Sequence, residues 1–278
     1  MVEVTQGFSL TNRLLLYASF LLAPGQAISG IGSNLPTNIG FLAYNWYNQC
    51  VWYNAIRNNQ LHALSLLPVH FNTIYAITYL GGVTSGNIFL GTILGFGTAA
   101  LMVFNTVAAW TSWASNMTEG YYVYEFFFFG WRRLTPGWHK FFLLWQIGDT
   151  ILAITCVVQA ISISIFIAQI GTDSDEIPPW WTAYTTYAVG SVAVLFIGWD
   201  LILWVELIVS RNHIESPTDM IAVWLFIVQI GTMLMPAVVH CTKKVFIHKS
   251  VSNPFGLSFR NSVSNRTDNT LPLVNLNS

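Results

Sequence analysis

Residues 141–170 read FFLLWQIGDTILAITCVVQAISISIFIAQI, a run with one charged group, Asp149. Crossing the ~30 Å hydrocarbon core of a bilayer takes about 20 apolar residues at 1.5 Å of rise each, so this run is long enough to span. The rest of the chain follows suit. Of 278 residues 54% are hydrophobic and 8% charged, whereas soluble domains carry about 25% charged residues. The sequence therefore reads as an all-α, polytopic membrane protein. Further apolar stretches at 12–30, 37–55, 62–83, 87–113, 182–209 and 219–242 bring the expected bundle to seven spans. The stretch at 37–55 is the weakest, because it carries Asn45, Asn48 and Gln49. LLLYASFLLA followed by PGQA also fits a signal peptide, but a retained first span is the favoured reading.

Working outward, the loops are mostly short and residues 1–249 read as one transmembrane bundle. Residues 250–278, rich in Asn, Ser and Thr, cannot bury enough apolar surface to offset ordering entropy and are expected to form a disordered polar tail. The longest connection, about 114–140, holds three Tyr, four consecutive Phe, Trp131, Arg132 and Arg133. Aromatic rings gather at the headgroup level while Arg and Lys reach outward, so this segment is expected to be a helix lying in or dipping into the interface. Arg132, Arg133 and Lys140 are three spans from Lys243, Lys244 and Lys249, so the positive-inside rule assigns no orientation.

The net charge of −1 leaves no basic surface for nucleic acid. Cys50, Cys156 and Cys241 are too few and too scattered for a disulfide framework or a zinc set and read as small core residues. Asn116 and Asn265 stand in glycosylation sequons. No Gly-rich phosphate loop, HExxH, Gly-x-Ser-x-Gly or Asp-rich diphosphate motif occurs, so neither cofactor nor metal is expected.

Acids at membrane depth remain. Asp200 lies about ten residues, roughly 15 Å, from the Ser210 end of its helix, and Asp149 about eight residues into its own span. A charge at such depth costs several kcal/mol, so these groups are expected to face the bundle interior as neutral acids. Glu206 sits about 120° around the helix and ~9 Å along it from Asp200, which rules out a paired dyad. It reads as an interfacial carboxylate reaching headgroups or Arg211. Trp204 shares a face with Asp200, and Trp199 with Glu206. A proton-donating acid among aromatic rings, whose faces stabilise cations, is what cyclisation of an isoprenoid olefin or epoxide requires. The acidic cluster Asp173, Asp175, Glu176 reads as a solvated loop, and His62 with His70 is too widely spaced for a metal pair.

Two stretches carry a resemblance. Asn48, then Leu66-Leu67-Pro68, Asn72 and Tyr79, and separately Gly190-Ser191, Arg211, Trp224 and Gly231-Thr232, are similar to segments of the fungal integral-membrane terpene cyclases of meroterpenoid and indole-diterpene pathways. They cover about 80 residues with gaps. The sequence departs from that family where its first acid would stand, at Ala76, and has no counterpart of the second. The resemblance implies an endomembrane protein, in the endoplasmic reticulum or a related membrane, that cyclises a prenylated or epoxidised substrate by protonation. Asp200 is the expected acid and Asp149 a second acid or orienting group. Trp199, Trp204 and Tyr75 would form cation-stabilising walls, with His70 and Asn72 also lining the substrate site. Expected partners are a hydrophobic prenylated small molecule, the lipid bilayer and other enzymes of the pathway. A proton-coupled transporter or channel, and a non-catalytic scaffold or receptor-like protein, are the alternative readings.

Overall fold

The structure, a computed structural model, describes residues 2–3, 9–30, 35–58, 88–115, 120–170 and 180–251. It is mostly helical: α1 (Leu10–Gly30), α2 (Ile39–Arg57), α3 (Ile88–Ser115), α4 (Pro136–Ile170), α5 (Trp180–Arg211) and α6 (Met220–Val251), with strands β1 (Val2–Glu3), β2 (Glu125–Phe127), β3 (Trp131–Arg133) and β4 (Ile214–Glu215). The chain divides into two units, Met1–Val238 and Val239–Ser278. The first holds the core, and the expected tail lies outside the described residues from 252 on.

Among the described residues three helices are long and apolar enough to cross a membrane, Phe89–Ala114, Pro136–Ser162 and Met220–Thr242, against the seven spans expected. The shortfall at α2 has a clear cause, since Asn45, Asn48, Gln49 and Asn54 depress its mean hydropathy. The expected span 62–83 lies outside the described residues. Of the three, α3 is the inner helix. Its apolar window is 56% buried, against 22% for α4 and 11% for α6, so α4 and α6 turn most of their apolar surface outward.

Helix starts follow their capping chemistry. Ser9 Oγ accepts the Asn12 amide at 3.2 Å and caps α1, while Asp219 Oδ1 accepts the amides of Ile221 at 2.9 Å and Ala222 at 3.5 Å and caps α6, each filling an orphan donor of the first turn. The caps are tied together. Asn12 Nδ2 donates to the Asp219 carbonyl at 3.0 Å, the Asp219 amide donates to Asn12 Oδ1 at 2.8 Å, and Tyr47 of α2 donates to Asp219 Oδ2 at 2.7 Å. One acid thus joins three helices.

Close approach elsewhere depends on glycine. A Cβ on Gly198 of α5 would overlap the Phe20 ring of α1, and one on Gly40 of α2 would meet the Gln229 backbone of α6. The antiparallel pair α3 and α4 is zipped by Trp110 Nε1 donating to Thr150 Oγ1 at 2.9 Å and Trp113 Nε1 donating to the His139 carbonyl at 3.0 Å. His139 returns a bond to the Trp113 carbonyl and stacks on its ring, centroids 4.3 Å apart. Small residues Ala153, Cys156 and Ala160 line the buried stripe of α4, which lets the backbones approach. Of the three cysteines only Cys156 is buried; Cys50 and Cys241 are exposed, contrary to their reading as core residues.

The aromatic segment is not an interfacial helix. Residues 125–133 form an antiparallel hairpin with Glu125 opposite Arg133 and Phe127 opposite Trp131. Runs of Tyr, Val and Phe favour strands, and the reversal uses positive φ at Phe129 (48°) and Gly130 (127°), where glycine carries no Cβ penalty.

Candidate functional site

Asp149 occupies the border of two faces of α4. On one side lies the stripe packed against α3, containing Gln146 and Ala153. On the other is an open depression of about 340 Å³ lined by Phe141, Leu144, Trp145, Gly148 and Asp149. These residues recur at helical spacings of three and four, and Gly148 leaves the floor clear, since nothing lies within 4 Å of where its Cβ would be. Asp149 is half-buried, and its Oδ2 is enclosed with no hydrogen-bond partner among the described residues. One turn away, Gln146 is fully buried with both ends of its amide likewise unpartnered. Buried polar atoms are normally satisfied, so Asp149 Oδ2 and the Gln146 amide are polar groups that the packing of α4 leaves enclosed and unpaired beside the groove. Chemically the groove offers an acid at the edge of an apolar and aromatic wall.

The hairpin abuts one end of the groove. Phe128 packs on Phe141, a lining residue, at 5.7 Å between centroids and on Trp138 at 5.2 Å, while Phe126 packs on Trp138 and Phe142. The hairpin's other face is clasped by α5. Asn212 exchanges two bonds with the Glu125 backbone at 2.9 and 2.7 Å, Arg211 Nε donates to Glu125 Oε2 at 2.7 Å, and Trp204 Nε1 donates to the Phe127 carbonyl at 2.6 Å. The Arg211 guanidinium also lies 5.1 Å from the Trp131 ring centroid. The bond from Arg211, seconded by Arg133 at 3.5 Å, holds the Glu125 carboxyl below its ordinary range.

Asp200 stands elsewhere. It is exposed on the outward face of α5, in company with Phe196, Trp199 (59% exposed) and Leu203, and no hydrogen bond or ion pair joins it to Asp149 among the described residues. Trp204, one turn on, uses its indole N–H on the hairpin. Tyr75, His70 and Asn72 lie outside the described residues, as do His62, the acidic cluster at 173–176 and both sequon asparagines. Among the described residues no group of three or more His, Cys, Asp or Glu side chains is placed to hold a metal ion.

Glu206 finds a different cation from the one expected. Arg13 of α1 grips it with two bonds, Nε to Oε1 at 2.8 Å and Nη2 to Oε2 at 3.1 Å, and Tyr17 donates to Oε1 at 2.7 Å. Arg211 is spent on Glu125. Comparison of the chain with protein-family models, curated proteins and solved structures gives no match.

Sequence reasoning passed over Arg13, Tyr17, Asp219 and Gln146. Asp219 was findable as an acid just ahead of the apolar run 220–242, an N-cap signature. Arg13 and Glu206 lie near the ends of their apolar runs, but pairing residues 193 positions apart needs the helix packing.

Proposed function

We propose that this chain is a multi-pass protein of an intracellular membrane that takes an apolar, isoprenoid-derived substrate into the groove on α4 and cyclises it by protonation. Seven crossings are counted by adding α1, α2, α5 and the segment 62–83 to the three helices of span length and apolarity. The observation that carries the reading is Asp149, with an enclosed, unpartnered oxygen, at the edge of a depression walled by Phe141 and Trp145. About 340 Å³ lies within the ~300–1,000 Å³ of small-molecule sites.

In this reading the Asp149 carboxylic acid gives its proton to an epoxide oxygen or olefin carbon of the substrate. The C–O bond opens, or the double bond shifts its electrons, and the carbon left cationic is attacked by a second double bond of the same molecule. Phe141 and Trp145 present ring faces that lower the energy of the cation. Loss of a proton from a neighbouring carbon to the Asp149 carboxylate ends the reaction and restores the acid, so product and substrate are isomers and no cofactor is consumed. Asp200, exposed on the outward face of α5 beside Trp199, is the second acid to be tested.

The test is expression in a host supplied with prenylated and epoxidised substrates. Wild type is expected to form a cyclised isomer, and Asp149→Asn to slow its formation by about 10²- to 10⁴-fold, the range for a general acid. Asp200→Asn is expected to have the smaller effect. Product absent from wild type, or equally abundant with Asp149→Asn, would sink the acid role.

A further inference from the structure

The contacts that clasp the hairpin also set its direction. Glu125, at its base, is level with Arg211 and Asn212 at the end of α5, whereas Phe127, near its tip, is level with Trp204. Seven residues of helix separate Trp204 from Arg211, about 10 Å of rise. The hairpin therefore runs back along α5, away from the helix end and toward the apolar middle of the bundle, with α4 on its other side. Its tip is aromatic and uncovered: Phe129 is 91% exposed, and Phe127, Phe128 and Trp131 are also exposed.

Non-helical backbone in an apolar layer needs partners for its polar groups, and much of the hairpin has them. The two strands pair with each other. Asn212 takes both backbone groups of Glu125, Trp204 takes the Phe127 carbonyl, and the Phe128 amide donates to the Gly130 carbonyl at 2.9 Å. The charge pattern agrees. Arg132, Arg133 and Lys140 are exposed beside the hairpin, and its acid, Glu125, is already held by Arg211 and Arg133.

We propose that the 125–133 hairpin is a re-entrant membrane anchor whose Phe128–Phe129 tip inserts below the headgroups while Arg132, Arg133 and Lys140 bind the headgroups of anionic phospholipids. Aromatic rings suit that boundary and long basic side chains reach back from it to phosphate. Anionic headgroups attract nearby basic residues. This surface stands independently of the chemistry assigned to Asp149.

The test uses the full chain with Cys50, Cys156 and Cys241 replaced by Ala and a single bimane-labelled cysteine introduced as Phe129→Cys or, for reference, Glu215→Cys, an exposed site between α5 and α6. The protein is reconstituted in phosphatidylcholine vesicles with or without phosphatidylserine. At position 129 the emission is expected to be blue-shifted, quenched by doxyl-labelled lipid and protected from aqueous iodide; at position 215 the reverse is expected. Adding Arg132→Gln and Arg133→Gln is expected to remove the increase in lipid quenching that phosphatidylserine produces, while retaining insertion through the aromatic tip. Iodide quenching at 129 equal to that at 215 overturns the anchor. Lipid quenching at 129 that does not respond to phosphatidylserine overturns the headgroup preference.

Discussion

At the scale of single residues, the pairing of Arg13 with Glu206 is the sharpest departure from expectation. Arg13 is almost wholly buried at 8% side-chain exposure, and its guanidinium meets the carboxylate as a two-point fork. Removing one member strands the other charge, at a cost of about 3 kcal/mol when both are buried and less here because Glu206 keeps 35% exposure. Arg13→Ala is therefore expected to lower stability by about 2 kcal/mol. Arg13→Lys is expected to recover only part of that loss, because an ammonium keeps the charge and gives up the fork. Thermal unfolding in detergent reads both, and equal midpoints for wild type and Arg13→Ala would show that the pair contributes nothing. Glu125 supplies the residue whose state follows pH. Its acidity is increased in the folded chain by the Arg211 bond, so its contribution to holding the hairpin is present above the ordinary glutamate range and is lost as pH falls through the lowered value. Amide protection at Phe128 and Leu134 is expected to fall across that acidic window, and to be low and flat in Glu125→Gln.

At the scale of elements, the hairpin and the helix contacts differ in how they were coded. Four consecutive Phe between Tyr and Arg marked residues 114–140 as interfacial, and aromatic strand preference with a glycine reversal settled a hairpin there rather than a helix. Trp204 is a test of that arrangement. Its ring was assigned to cation stabilisation, yet its N–H is committed to the Phe127 carbonyl. Trp204→Phe keeps the ring and removes the donor, so it is expected to speed amide exchange in residues 125–133 by roughly two- to tenfold, since a hydrogen bond that water can replace contributes about 0.5–1.5 kcal/mol. Unchanged exchange would remove the indole from any part in seating the hairpin. Between α1 and α5 the decisive residue is Gly198, where any side chain runs into Phe20. Gly198→Val is expected to destabilise by about 1–3 kcal/mol, the usual cost of overpacking, and Phe20→Ala in the same chain to restore part of it. Thermal unfolding of the single and double variants measures that coupling.

At the scale of the whole molecule, the unit Met1–Val238 is held at one end by a polar knot and along its length by apolar packing. Asn12, Asp219 and Tyr47 bind the starts of α1 and α6 to the middle of α2, so Asn12→Ala removes both bonds between α1 and the start of α6 together. It is expected to cost about 2 kcal/mol, and in Tyr47→Phe, which loses one bond to the same acid, about half as much. Values that add in the double variant would show two separate contacts; values that fall short of the sum would show one unit. The sequence by itself determined the helical, membrane-compatible character of the chain, because apolar length and scarcity of charge are properties of single segments. It also marked Asp149 as an acid in an apolar run and separated Asp200 from Glu206 by helical geometry. Only the tertiary structure decided that Asp149 borders a groove while Asp200 faces outward, that Glu206 belongs to Arg13, and that the aromatic segment turns back along α5. Each of those depends on which face of one helix meets which face of another. Hydrophobic periodicity restrains that choice weakly in a chain whose helices are apolar on nearly every side.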